Sequence, residues 1–292
     1  LIVESASLGV VSVDVQVLLD AISAISTYKD NNFPHSGRFS FWPQSPHPNS
    51  NSSYFANPIN LVSVCEDTET MGNWLKFVLN SLGLGHLWSK LLPLFDLLSD
   101  SLRDFKIPAD TDDSFCNAGL GSLLSQHQTL FPKSYALWKA LNPDSEWNSL
   151  LTSTQQYSYD PYSLDDSRNF LDTRSYYFMH QFIEQHNSQD HFRVIMTWLM
   201  NWKESCANFD NDYAMPFNSN NVDVSVVANV LFGITSKFAS DHINVPSSSS
   251  WLTQDVLDLY LNASTYVQWV ILESSLLSVN GSRPDLGLLY FK

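Results

Sequence analysis

Cysteine is scarce in this chain, with three in 292 residues. Cys65, Cys116 and Cys206 are too few and too scattered for a disulfide framework or a zinc cluster, and they read best as buried small hydrophobes. Glycine is also thin, at 10 residues. No phosphate-cradling glycine loop, no G-x-G-x-x-G and no G-x-S-x-G elbow occurs, which excludes the common nucleotide-binding loops and the α/β-hydrolase nucleophile turn. Basic residues number 15 against 30 acids, for a formal charge of -15. A nucleic-acid partner needs a basic face and is therefore not expected, and no Lys/Arg cluster would hold an anionic membrane. Long apolar runs are missing too. The nearest, VSVVANVLFGI at 225–235, is too short to span a bilayer and contains Asn229.

What the chain does have is a large supply of apolar and aromatic side chains. Hydrophobic residues make up 44% and aromatic ones 13%, while charged residues reach only 15%, well under the usual quarter. Such a chain buries a large core and leaves Ser and Asn to make its surface polar. Three N-x-S/T acceptors, at Asn51, Asn262 and Asn280, point together with the low lysine content to a secreted or extracellular glycoprotein. The first residue is Leu and the last segment, SRPDLGLLYFK, is apolar. A chain processed or incomplete at its start and continuing past Lys292 is expected from this.

Helical spacing dominates. Residues 9–28 settle into it through Val17, Leu18, Ala21, Ile22 and Ile25, and residues 70–105 repeat apolar positions at i, i+3, i+4 and i+7. Shorter helices are predicted over SYALWKALN and SEWNSLLTSTQQY, with a Pro-Asp turn between them. RSYYFMHQFIEQH and DHFRVIMTWLMNW are predicted as two consecutive amphipathic helices. VDVSVVANVLFGITSKFA and the segment from Trp251 to Leu277 complete the set, the latter capped by Ser250 or a near neighbour. The Pro/Ser/Asn-rich stretch at about 30–55 reads as a loop, and its Phe33, Phe39, Phe41 and Trp42 predict that it lies packed on the body. Ten to twelve helices with no strand ladder and no βαβ rhythm make the chain all-α. Short connections imply antiparallel neighbours, and mostly apolar helices alternating with amphipathic ones would suit a double ring in a single domain over residues 1–292.

One segment carries chemistry. IPADTDDSFCNAGLGSLL places Asp110, Asp112 and Asp113 directly before a run of small and apolar residues. Three carboxylates so close repel one another. Enclosed by apolar walls, at least one would keep its proton near neutral pH and could protonate an olefin beside aromatic faces that stabilise the resulting cation. The plainer alternative is that the acids satisfy backbone N–H groups in a first helical turn, with Asp112 or Asp113 as the N-cap.

The segment resembles the Asp-x-Asp-Asp-Thr/Ser sequence of the terpenoid cyclase superfamily, in its class II members such as squalene-hopene cyclases. FNSNNVDVSVVANVLFGI is similar to a helix-opening segment of the same prenyltransferase-like and cyclase-like toroid proteins. The resemblance implies an (α/α)6 toroid of paired antiparallel helices, with both segments opening inner helices. It assigns Asp112 as proton donor, Asp110 and Asp113 as flanking acids, Ser114 to the position usually held by Thr, and an apolar isoprenoid as the small-molecule partner. The Q-x-x-x-G-x-W repeats of the family are absent, and the length suffices for one toroid where class II cyclases pair two helical domains. The alternative function is a non-catalytic secreted scaffold or binding module with a cyclase-like fold.

Other clusters are weaker. Asp210, Asp212, Asn218, Asn220 and Asp223 are oxygen ligands of a kind Ca or Mg takes. They lack the glycine and terminal Glu of an EF-hand, so a turn before a capped helix is the blander reading and no cofactor is expected. As a site they would form an acidic rim of Asp210, Asp212 and Asp223 beside the first cluster. His180, His186 and His191 do not share a helix face, so no metal site is expected there. Arg174 can pair an acid of the cluster or a substrate anion, and a surface salt bridge is the blander reading.

Overall fold

A computed structural model describes residues 3, 9, 13–46, 54–56, 76–81, 84, 85, 87, 90, 107–162, 170–186, 192–208, 215, 218–244 and 250–273. Over these the chain is mostly helical. Eight helices are named here: α1 (Val15–Ser26), α2 (Thr111–Gln126), α3 (Pro132–Leu141), α4 (Asp144–Tyr157), α5 (Thr173–Gln185), α6 (Trp202–Asn208), α7 (Val224–Asn244) and α8 (Gln254–Glu273). Residues 76–81 are helical as well. Four short strands accompany them: β1 (Phe39–Ser40), β2 (Gln44–Pro46), β3 (Tyr54–Ala56) and β4 (Ala109–Asp110). They pair antiparallel as β1 with β4, Phe39 opposite Asp110, and β2 with β3, Ser45 opposite Phe55.

The helix ends follow local chemistry. Asp14 caps α1 through the Gln16 N–H at 2.8 Å, and Asp172 caps α5 through the N–H groups of Arg174 and Ser175. Pro132 opens α3 at a position whose N–H would have no partner. Thr253, not Ser250, meets the first turn of α8, accepting the Val256 N–H at 3.4 Å.

The segment 192–200 departs from expectation. It is extended, where the spacing of FRVIMTWLM predicts a helix. Phe192, Val194, Ile195, Met196, Leu199 and Met200 are all buried. Val194 exchanges both backbone hydrogen bonds with Tyr159 at 2.8 Å, Thr197 accepts the Thr111 N–H at 2.8 Å, and Leu199 donates to the Ala109 carbonyl at 2.9 Å. An apolar run buried on both sides has no alternation, so it can pass for a core helix. The 30–46 loop does lie on the body, but unevenly: Phe39 is buried, while Phe41 is 54% exposed.

The main core gathers α2, α4, α5, α7, α8 and the extended segment around Phe115, Leu150, Phe182, Ile195, Val227 and Leu259. A smaller core joins Leu18 and Ile22 of α1 to Leu124 and Phe131 beside α3. Central to the first is the α2–α7 pair. Asp112 meets Asn229, Phe115 lies on Gly233, and the Gln126 amide reaches the Ser236 carbonyl, so contacts advance in the same sense along both helices and the two run parallel.

Candidate functional site

Helix α2 is built from small residues because it is enclosed on several sides. Its buried positions include Thr111, Ser114, Asn117, Gly119, Gly121 and Ser122. Glycine inside a helix costs about 1 kcal/mol relative to alanine. Here it admits neighbours: a methyl group at Gly119 would run into the Phe232 ring, and one at Gly121 into the Trp138 indole.

At its N-terminal end the three sequence-predicted acids sit together but in different roles. Asp110, not Asp112 or Asp113, is the N-cap, accepting the Asp113 N–H at 2.7 Å. It is also the most buried of the three, at 4% exposed, wedged between Phe39 and Trp198 in strand-like pairing. Thr111 donates its hydroxyl to the Met196 carbonyl at 2.7 Å, and Ser114 donates to the Asp110 carbonyl at 2.5 Å while accepting the Phe39 N–H at 2.9 Å. Burial pushes the Asp110 carboxyl well above the usual carboxylate range, helped by the charges of Asp113 and Asp112 and opposed by the Asp113 N–H. Asp113 is pushed up to about 6 by burial and the Asp112 charge. Asp112 is half-buried and tied down: its Oδ1 accepts from the Asn229 amide at 2.6 Å and lies 3.7 Å from the Cys116 thiol. That thiol is pushed up to about 12 by burial and the Asp112 charge, so it is a neutral S–H and not a nucleophile.

The remaining sequence candidates separate. Asp223 is buried and caps α7, accepting the Ser225 N–H at 2.8 Å and hydroxyl at 2.7 Å. Asn220 is fully buried, bridging the Trp198 N–H and carbonyl with its amide. Asp210 and Asp212 lie outside the described residues, as do His191, Cys65, Asn51 and Asn280. Asn262 sits half-buried in the middle of α8. His180 and His186 each contact a backbone carbonyl of their own helix, and Arg174 is exposed. Cys116 and Cys206 are free thiols, and neither is the buried small hydrophobe expected: Cys116 is half-buried and Cys206 is exposed. Among the described residues no group of three metal-ligating side chains occurs, and no helix is long and apolar enough to cross a membrane.

None of the three acids lines a described cavity. The cleft that α2 does border lies on its next face and has a volume of about 590 Å³. Ser114, Asn117 and Ser122 of α2 form one wall; Tyr135 and Trp138 of α3, Trp147 of α4, Asp241 of α7 and Trp251 complete it. Local bonding fixes the side chains. The Trp138 indole donates to Asn117 at 3.1 Å, Asn117 donates to Asn142 at 3.0 Å, and Asn142 returns to the Trp138 carbonyl at 2.9 Å. Trp251 donates to Asp241 at 2.8 Å, and Asp241 also pairs with Lys237. Trp147 stands edge-on to Trp251 with centroids 5.4 Å apart, and its buried indole N–H has no hydrogen-bond partner. Glu146 is held by Lys29 at 2.6 Å. Sequence reasoning did not single out this cleft. Its one visible signal is WKALNPDSEW, two tryptophans flanking a Pro-Asp turn rich in acids.

No family model, no curated protein and no solved structure matches this chain.

Proposed function

We propose that the chain is a helical binding module whose cleft between α2, α3, α4 and α7 takes a polyhydroxylated ring compound, a carbohydrate. The observation that carries this reading is the lining: three indoles and a phenol stand among amides, hydroxyls, three carboxylates (Asp144, Glu146 and Asp241) and the amines of Lys139 and Lys237. A sugar ring has apolar C–H faces and a polar edge. Flat aromatic rings cover the first, and donors and acceptors such as Asn117, Asn142 and Asp241 satisfy the second. A pure hydrocarbon would use none of the hydrogen-bonding capacity these groups keep beyond their protein partners, and would displace the water that serves it. The volume lies within the range usual for small-ligand sites. A Ser/Asn-rich surface and a secretory setting would suit such a module.

A second reading keeps acid chemistry, supported by two carboxyls at the head of α2 that hold protons more tightly than ordinary ones. In it α2 and α7, parallel and side by side, are inner helices of an (α/α)6 toroid, and Asp112 or a neighbour protonates an apolar isoprenoid.

One panel decides between them. Tryptophan fluorescence is titrated with neutral oligosaccharides and with geranylgeranyl diphosphate, and squalene and oxidosqualene incubations are run with wild type and Asp112→Asn. Saturable response to a sugar, weakened at least tenfold in Trp251→Ala, is the expected outcome. Response to the isoprenoid alone, with cyclised products lost in Asp112→Asn, would overturn the binding-module reading.

A further inference from the structure

Arg38 is a buried cation in an acidic protein, 6% exposed, and among the described residues its side-chain hydrogen-bond partners do not include a carboxylate. Its Nε and Nη2 both donate to one acceptor, the Ser153 hydroxyl, at 3.3 and 3.0 Å. Nη1 reaches the Leu199 carbonyl at only 3.5 Å. The guanidinium plane sits 4.3 Å from the Phe33 ring centroid and 5.2 Å from that of Tyr157. Glu204 acts in this neighbourhood on the Tyr157 hydroxyl, which donates to it at 3.0 Å. A guanidinium carries five N–H donors in a planar fork, and a buried one costs several kcal/mol unless an anion or full hydrogen bonding offsets it. The Ser153 hydroxyl, the long contact to the Leu199 carbonyl and the neighbouring Tyr157 hydroxyl, which relays to Glu204, supply no direct anionic partner.

The backbone is shaped to hold the side chain there. Asp30 and Arg38 close the loop through the Asp30 N–H and the Arg38 carbonyl at 2.9 Å. Within it His35 and Gly37 take positive φ values of 64° and 68°. Gly37 is pressed against α4, where a Cβ would stand 2.8 Å from the Glu146 carbonyl oxygen, so glycine is required on both counts. A non-glycine residue in the left-handed region stores strain, which concentrates at ligand sites.

Arg38 faces a second cavity of about 530 Å³, formed by the 32–38 loop and by Asn148, Ser149, Thr152 and Ser153 of α4. Apart from Arg38, the polar groups around it are neutral amides and hydroxyls plus the His35 imidazole, and among the described residues no carboxylate lines it. We propose that this loop–α4 cavity is an oxyanion-binding site in which the Arg38 fork receives the anion and the α4 hydroxyls and amides complete its shell. Planar bidentate recognition suits a carboxylate and a sulfate or phosphate group alike. The overall charge of -15 repels anions at long range, so only a desolvated, built cation could retain one. Because it uses a different face of α4 from the carbohydrate cleft, the site stands independently of that reading.

The test is thermal unfolding with low-millimolar sulfate, inorganic phosphate, acetate or succinate, with sodium chloride holding ionic strength constant. A ligand that binds only the folded state raises Tm saturably. A saturable rise with sulfate and phosphate assigns a tetrahedral oxyanion, and one with acetate or succinate a carboxylate. Thr152→Asp, at an exposed position on α4, puts a negative charge at the rim without touching Arg38 and is expected to weaken the response at least tenfold while circular dichroism stays unchanged. Arg38→Met is expected to abolish it. No saturable response in wild type, or an equal response in folded Thr152→Asp, would overturn the proposal.

Discussion

At the scale of single residues, the three acids at the head of α2 show how burial sorts chemically identical side chains. Asp110 is enclosed by β1 and the extended segment, Asp113 is half-buried beside it, and Asp112 is tied to Asn229. The acids themselves are legible in DTDD, but their ranking is not, because it depends on Phe39, Trp198 and Asn229, which arrive from distant parts of the chain. The pH consequence follows from the sign of the Asp113 shift. Its folded-state value, about 6, exceeds the ordinary 3.8, so the folded protein binds the proton more tightly than the unfolded chain. That contribution is fully present below about pH 4 and is lost as pH rises through about 6. Asp113→Asn removes it. The difference in Tm between wild type and variant is expected to move in the variant's favour, on the order of a few °C, between pH 4 and pH 7. A pH-independent difference in thermal scans would show that Asp113 titrates normally.

Helices were legible where their period is regular and their caps are local, as with α1, α3, α4, α5, α7 and α8. The 192–200 segment was not, since its pairing with Tyr159, Ala109 and Asn221 lies outside any local window. The α2–α7 contact tests the element scale. Alanine for glycine inside a helix gains about 1 kcal/mol from propensity alone, so the outcome depends on what the new methyl group meets. At Gly119 it meets the Phe232 ring, which is 39% exposed and free to swing toward solvent. At Gly233 it meets the Phe115 backbone carbonyl oxygen at 2.9 Å and a ring that is 0% exposed. Gly119→Ala is therefore expected to be close to neutral and Gly233→Ala to cost about 1–3 kcal/mol. Urea unfolding midpoints at constant m-value check this. Equal costs at the two positions would mean that α2 and α7 can separate as rigid rods, contrary to the packing seen.

For the whole molecule, the spacing of apolar residues foretold the helical class, while the two cavities come from tertiary placement. Trp138, Trp147 and Trp251 converge only after α3, α4 and α8 are packed, and Arg38 is brought against α4 only by the loop around it. The charge balance does make a direct prediction. With 30 acids against 15 bases, the folded chain concentrates net negative charge that the expanded chain spreads out. Screening that repulsion favours the compact state, and the Debye length falls from about 30 Å at 0.01 M salt to about 10 Å at 0.1 M. Sodium chloride added over that range at pH 7 is expected to raise Tm. Near the isoelectric point of about 4.7 the net repulsion vanishes, and the same salt weakens attractive pairs such as Lys29–Glu146 instead. The rise should then disappear or change sign. Chloride suits this comparison, because sulfate stabilises through surface exclusion as well as through any specific site. A salt-induced rise of equal size at both pH values would mean that net charge does not govern stability, and that the buried, locally paired groups set it alone.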